Sequence, residues 1–164
     1  MGDIRLFVSH AHKDKEIAMA LVDAIEAAMV PKARILCTSH DKPEYREPDN
    51  VDISQVLRDH LVQSSCVLAI LTPNSLNSPW CLFELGGAWA RAKRTYPLLA
   101  GGLSKEDLPA ALKGNAASQL TEPEEILNTL VSLRVFLKWR KRNTGLAEEE
   151  IKRLVEVVQE CSWD

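Results

Sequence analysis

The chain has 164 residues, which is enough for one domain with a substantial core and too few for two. Hydrophobic residues make up 46% and charged residues 26% of the sequence, and these proportions exclude a disordered, collagen-like or coiled-coil chain. The formal net charge is -3, so no overall positive field attracts phosphate backbones or anionic lipid. Neither nucleic acid nor a membrane is therefore an expected partner.

The cysteines are far apart in the chain, and none forms the close pairs that zinc sites use. We expect reduced, mostly buried thiols at Cys37, Cys66, Cys81 and Cys161. No apolar run approaches the roughly 18 residues that a transmembrane helix needs, and the first residues lack the features of a signal peptide. The expected location is the cytoplasm.

Apolar runs and the helical spacing of apolar side chains predict the elements of the first part of the chain. In order they are a buried strand from Ile4 to Ser9, a helix from Glu16 to Pro31, a brief strand from Arg34 to Thr38, and a polar loop from Ser39 to Asn50. The helix ends there because proline cannot continue it. Long polar loops of this kind often carry function.

The middle of the chain has the strongest signals. Asp52 is predicted to cap a second helix. Cys66 to Leu71 is an almost unbroken apolar run, the pattern of a central parallel strand that is covered on both faces. Ser78 and Pro79 then supply a capping hydroxyl and a first-turn proline for a helix that runs to about Ala92.

The rest of the chain carries weaker signals. We expect a strand from Tyr96 to Leu99, a short segment from Lys105 to Leu112, a weak strand from Ala116 to Leu120, a helix opened by a capping box at Thr121 to Glu124, and a last helix after Gly145. This alternation predicts an α/β fold, a parallel sheet with helices on both faces. Its ligands would bind beyond the carboxyl ends of the strands, at Ser9 to Lys15, Ser39 to Asn50 or Thr72 to Glu84.

The sequence lacks the residues that three common functions of such a sheet require. No Gly-x-Gly-x-x-Gly follows the first strand and no Gly-Lys-Ser/Thr loop is present, so a Rossmann-type dinucleotide and a nucleoside triphosphate both lack their usual cradle. A response-regulator receiver needs acidic residues at the ends of the first and third strands. This chain has Ser9-His10 and Thr72-Pro73 there.

Three segments carry a resemblance to a known family. They are Phe7-Val8-Ser9-His10 with Lys13-Asp14-Lys15, Leu71-Thr72-Pro73-Asn74-Ser75, and Ser78-Pro79-Trp80-Cys81-Leu82-Phe83-Glu84-Leu85. Together they resemble a Toll/interleukin-1 receptor (TIR) domain, in particular its bacterial branch, over roughly Asp3 to Leu133.

The resemblance implies a flavodoxin-like three-layer sandwich, built on a mostly parallel five-stranded sheet with helices on both faces. We expect residues 1–135 to form the TIR domain and residues 136–164 to be a C-terminal helical extension that packs on it or follows it. Domains of this family either cleave NAD+ at the nicotinamide–ribose bond or act as signalling scaffolds.

Glu84 is the residue on which an enzymatic function depends. Cleavage passes through an oxocarbenium-like ribose, and a carboxylate beside it can stabilise the cation or bind the ribose hydroxyls. Trp80 lies four residues earlier on the same helical face, where it can line the pocket or pack the helix against the sheet. Without the motif, a glutamate at this position of a helix would usually be a solvated or capping charge.

The family comparison implies further substrate contacts. A second wall of the pocket would be formed by Phe7, Ser9, His10, His12 and Lys13, although Ser9 could instead be a structural hydroxyl. Tyr45 is the aromatic residue of the Ser39 to Asn50 loop and would stack on the substrate. That loop lacks the glycine of many relatives, so its individual contacts are not transferred. His10 and His12 show no third ligand, and no metal site is expected.

We therefore expect an NAD+ nucleosidase that hydrolyses or cyclises its substrate to nicotinamide and ADP-ribose or a cyclic isomer, in bacterial defence or signalling. NAD+ is then a substrate, and no cofactor is expected. The expected partners are other TIR domains and an upstream sensor protein. The alternative is a non-catalytic scaffold that acts through TIR–TIR contacts. The basic cluster Lys138 to Arg142 is interpreted as a solvated helix end.

Overall fold

The computed structural model describes residues 4–37 and 53–163. The elements in chain order are β1 (Ile4–Ser9), α1 (Lys15–Ala28), β2 (Met29–Val30), β3 (Arg34–Leu36), α2 (Ile53–Gln63), β4 (Cys66–Leu71), α3 (Pro73–Leu76), α4 (Pro79–Ala90), β5 (Arg94–Leu99), β6 (Ser118–Gln119), α5 (Pro123–Leu137), β7 (Arg140–Lys141) and α6 (Leu146–Glu160). Single 3₁₀ turns occupy His12–Asp14, Lys105–Asp107 and Ala110–Leu112.

A five-stranded sheet in the order β3-β1-β4-β5-β6 forms the centre of the molecule. Each neighbouring pair of its strands is parallel. All residues of β4 are buried, as the unbroken apolar run predicted. The chain passes from β1 to β3 on one side and then returns to β4 on the other. The carboxyl ends of β1 and β4 therefore mark the switch point at which open α/β sheets bind ligands.

Alternate side chains of each strand pack against different helices. The main core cluster joins one face of the sheet to α1, α5 and α6 and includes Leu6, Val8, Leu68 and Ile70. The other face packs against α2 and α4 through Phe7, Leu36, Leu61, Val67 and Ala88. The predicted three-layer, flavodoxin-like α/β fold is thus confirmed. Ser9 follows Phe7 at a spacing of two, so its side chain points to the layer that contains α4.

Helix α6 packs against α1 and completes the main core. Its buried residues recur at helical spacing and belong to the main cluster: Ile151, Leu154, Val155 and Val158. Near it, β2 pairs antiparallel with β7, with Met29 opposite Lys141 and Val30 opposite Arg140. The sequence predicted neither strand, because two residues are too few to show a periodicity.

Two local predictions are wrong. The first helix ends at Ala28 and not at Pro31, because Met29 takes an extended conformation and pairs with β7 as the start of β2. Thr121 does not open a capping box, because Glu122 is the N-cap of α5, its side chain caps nothing, and Pro123 is the first helical residue. The basic cluster does begin at a helix end, because α5 stops at Leu137 and Lys138 is its left-handed C-cap, but the cluster is not solvated throughout. Trp139 is then buried in the main core, and β7 follows it. The predicted cap Asp52 and the end of the second strand at Thr38 lie outside the described residues.

The cysteines are free thiols, and Cys37, Cys66 and Cys81 are buried whereas Cys161 is half-buried. Burial raises the pKa of the Cys66 thiol to about 12, so this thiol stays protonated at neutral pH. In the part of the chain that the structure describes, no helix combines the length and the apolar character needed to cross a bilayer.

Candidate functional site

Helix α4 places the Glu84 side chain on its buried face. The helix begins as predicted, with Pro79 as its first residue and with the Ser78 hydroxyl accepting a hydrogen bond from the backbone N–H of Cys81 at 3.3 Å. Glu84 shares the buried face of this helix with Cys81, Leu85 and Ala88, and it is only 5% exposed. The carboxyl group is therefore not a solvated surface charge.

Two side chains interact with the Glu84 carboxyl group. The Ser9 hydroxyl, at the carboxyl end of β1, donates a hydrogen bond of 2.6 Å to Glu84 Oε2. Trp80 lies one helical turn before Glu84, and its indole N–H, the only donor of that side chain, acts on the carboxyl group and lowers its pKa. These contacts unite three of the predicted site residues at the switch point of the sheet.

Burial changes the acidity of this group. It raises the pKa of the Glu84 carboxyl from its ordinary value of 4.5 to about 7, while the hydrogen bonds from Ser9 and Trp80 act in the opposite direction. Both protonation states are then populated near neutral pH. A buried carboxyl group with a strongly perturbed pKa at a ligand-binding edge is a typical sign of a functional site.

A cavity of about 850 Å³ opens beside Trp80, between α2 and α4. Trp80 and Phe83 line it with rings that are 6.2 Å apart and inclined by 26°. Arg58 and Asp59 contribute charged groups from α2. Trp80 therefore acts on the Glu84 carboxyl group and also lines a cavity large enough for a small molecule.

The other predicted site residues lie in different environments. Phe7 is buried between the sheet and the α2/α4 layer. His10 is also buried, with Nδ1 at 3.2 Å from the Val8 carbonyl oxygen, and burial lowers its pKa so that the ring is neutral at neutral pH. His12 and Lys13 are exposed on the following turn. Tyr45 and the rest of the Ser39 to Asn50 loop lie outside the described residues.

Asp14 organises this edge of the sheet, a role that the sequence did not predict. It is 2% exposed, and its carboxylate accepts hydrogen bonds from Thr72 Oγ1 at 2.6 Å and from Asn74 Nδ2 at 2.7 Å. Thr72 also forms a capping box with Ser75 at the start of α3. The spacing of Thr72 and Ser75 could have predicted α3, but no local pattern pairs Asp14 with either of its donors.

A second cavity, of about 420 Å³, lies between the turn after β1 and the segment after β4. Its lining residues are Ala11, His12, Lys13, Pro73, Asn74, Asn77, Ser78 and Trp163. We call it the tail groove, because Trp163 follows α6. His12 and Lys13 line the tail groove, and the consecutive residues Ser78 and Pro79 line the groove and the larger cavity respectively.

No group of three or more histidine, cysteine, aspartate or glutamate side chains within residues 4–37 and 53–163 is arranged to hold a metal ion.

Comparisons with known proteins agree with this architecture. The family model of the TIR domain matches residues 6–131. YddK, an uncharacterized protein of Bacillus subtilis, is 30% identical over 124 residues, which make up 76% of this chain and 46% of that protein. The chain thus spans less than half the length of this curated relative.

Solved structures show the same fold. The chain is similar to the TIR domain of the Toll-related receptor TRR-2 from Hydra magnipapillata, with a TM-score of 0.64, 13% identity, and coverage of 84% of this chain and 99% of that one. It is also similar to a metazoan TIR-STING receptor from C. gigas, with a TM-score of 0.59, 21% identity, and coverage of 82% and 40% respectively. At these identities the likeness concerns the fold alone.

Proposed function

Because the chain belongs to the TIR-domain family, we propose that it cleaves NAD+ at the nicotinamide–ribose bond with Glu84 as the catalytic carboxylate. The observation that carries the proposal is the burial of Glu84 against Ser9 and Trp80 at the switch point of the sheet. NAD+ is the substrate in this account, and no cofactor takes part. The products are nicotinamide and ADP-ribose or a cyclic isomer.

Glu84 acts on the ribose and not on the leaving group. When the bond between ribose C1′ and the nicotinamide nitrogen breaks, its electron pair leaves with nicotinamide, which departs as a neutral molecule. No proton donor is needed, and the positive charge moves to the ribose. An ionised carboxylate held close to that ribose stabilises the charge as it develops, in a site shielded from water. Water, or an atom of the substrate itself, then bonds to C1′ and loses its proton.

Trp80 has two roles in this account. Its N–H favours the ionised form of the carboxyl group, and its ring lines the 850 Å³ cavity beside Phe83. The nicotinamide of NAD+ is a planar cation, and such groups bind well over the face of an indole ring. We place the nicotinamide end of the substrate in this cavity for that reason.

The test is NAD+ consumption at high protein concentration, with the products separated by chromatography. The Glu84→Gln variant keeps the size and hydrogen-bonding capacity of the side chain but cannot ionise, so we expect it to release nicotinamide at least about 100-fold more slowly than the wild type. Glu124→Gln, on the exposed first turn of α5, is the matched control and should react like the wild type. Wild-type rates in Glu84→Gln, or no NAD+ consumption by any of the three proteins, would contradict the proposal.

A second candidate function is the scaffold, and exposed apolar side chains favour it. On α4, Phe83 is 70% and Trp89 is 61% exposed, and on α5 an exposed stripe contains Leu127, Val131 and Val135. Surfaces of this kind often mark protein contacts. Self-association through them is compatible with catalysis. Sedimentation velocity over a range of concentrations should show assembly that Val135→Ser weakens, whereas a monomer at every concentration would remove this candidate.

A further inference from the structure

We propose that the tail groove is the subsite for the adenosine diphosphate half of NAD+, and that Trp163 stacks on its adenine base. The inference rests on the proposed function and deepens it, because it assigns the part of the substrate that Glu84 and Trp80 do not touch. The family model matches residues 6–131, and Trp163 lies outside them. The proposed adenine contact therefore comes from a part of the chain that the family model does not cover.

The position of the groove fits the second half of a dinucleotide. Ser78 lines the groove and Pro79 lines the larger cavity, so the start of α4 borders both spaces. Ala11, another lining residue, follows Ser9 by two positions, which keeps their α-carbons within about 7 Å. The groove therefore lies close enough to Glu84 for the two halves of one dinucleotide to occupy the two places. The volume of about 420 Å³ is within the usual range for small-molecule sites.

Trp163 is built into the wall of the groove. The side chain is partly buried and packs against the main core cluster. Gly101 leaves it room: a β-carbon at that position would lie 2.9 Å from Trp163 Cδ2 and 2.5 Å from Pro73 Cδ. The indole ring is thus held in place from behind while it lines an open space, which is what stacking on a planar base requires.

The charges around the groove suit a diphosphate. Lys13 brings an exposed ammonium group to the groove, with His12 beside it. Among the residues that the structure describes, none that lines the groove is an acid. Asp14 is the carboxylate of the neighbouring turn, but it is buried and both of its oxygens accept hydrogen bonds from Thr72 and Asn74. An aromatic surface next to an exposed cation is the chemistry that recognises an adenosine phosphate.

The test is calorimetric titration of the full chain with ADP, a probe that lacks the cleavable bond. We expect wild type to bind ADP, Trp163→Ala to weaken binding about tenfold or more, and Trp163→Phe to retain most of the affinity. Lys13→Ala should weaken binding and reduce its dependence on salt. Trp89→Ala is the matched tryptophan control, since Trp89 is exposed on α4 and does not line the groove.

The result that would overturn the inference is wild-type protein that fails to bind millimolar ADP, or Trp163→Ala with wild-type affinity. If Trp163→Ala does not fold by circular dichroism, Lys13→Ala decides, because Lys13 is exposed, and unchanged affinity in that variant overturns the inference. Glu84→Gln separates the two proposals. Glu84-dependent cleavage without ADP binding refutes the groove alone, whereas Trp163-dependent ADP binding without cleavage supports the groove and refutes the proposed activity.

Discussion

Glu84 couples folding stability to the chemistry of the site. Its pKa in the folded protein is raised by burial from 4.5 to about 7. The stability that this group contributes is therefore fully present below about pH 4.5 and is lost as the pH rises through about 7, because the folded protein must then bury a charge. If the residue at this position had a purely structural role, a neutral side chain would make the folded protein more stable.

Glu84→Gln should therefore stabilise the protein at alkaline pH. At pH 8 the variant no longer buries a carboxylate, and we expect its free energy of unfolding to exceed that of the wild type by up to about 3 kcal/mol. At pH 4 both side chains are neutral and the difference should be small. Urea denaturation at the two pH values measures this, and a variant that is less stable than wild type at pH 8 would refute the burial argument.

At the scale of elements, the turn after β1 and the start of α3 are joined by the Asp14 carboxylate. Hydrogen bonds to a charged group contribute about 1.5–3 kcal/mol each. Removal of the Asp14 carboxylate would also take away the acceptor to which Thr72 and Asn74 donate. This contact fixes the two strand ends between which the candidate site and the tail groove lie. It is therefore a positioning interaction for both.

Asp14→Ala should lower the free energy of unfolding by about 2–4 kcal/mol, because both hydrogen bonds disappear together. Thr72→Val removes only one of them, along with part of the α3 cap, and should cost less. Thermal or urea unfolding of the two variants gives the comparison. If Asp14→Ala is as stable as the wild type, Asp14 does not hold these turns together.

At the scale of the whole molecule, α6 is part of the fold although it lies beyond the residues matched by the family model. Leu154 is completely buried in the main cluster. We expect Leu154→Ala to cost about 2–5 kcal/mol, the usual range for such a truncation in a core. Lys152→Ala, on the exposed side of the same helix, should change stability by less than about 0.5 kcal/mol. Similar effects of both changes in chemical denaturation would contradict this role of α6.

The elements that the sequence predicted best are those with local signals. The apolar run of β4 and the Ser78-Pro79 start of α4 need no knowledge of distant residues, and the spacing of Trp80 and Glu84 places them on one face. The two-residue strands β2 and β7 carry no such signal.

The contacts that define the site are long-range in sequence. Ser9 and Glu84 are 75 residues apart, and Asp14 and Thr72 are 58 apart, so only the packing of β1 against β4 and α4 brings them together. The sequence suggested Ser9 and Glu84 as site residues through a family resemblance, and it gave no indication of their direct hydrogen bond. The raised pKa of Glu84 likewise comes from tertiary burial, which a helix position alone does not reveal.

If an ionised, buried Glu84 drives nicotinamide release, kcat/KM must follow the ionisation of its carboxyl group. Activity should rise with pH as the carboxyl group ionises, with a midpoint near about 7, and then reach a plateau. Ser9→Ala removes a hydrogen bond that lowers the pKa of Glu84, so its midpoint should move to higher pH. A profile that falls as the pH rises through this range, or one that is flat from pH 5 to pH 9, would contradict the account.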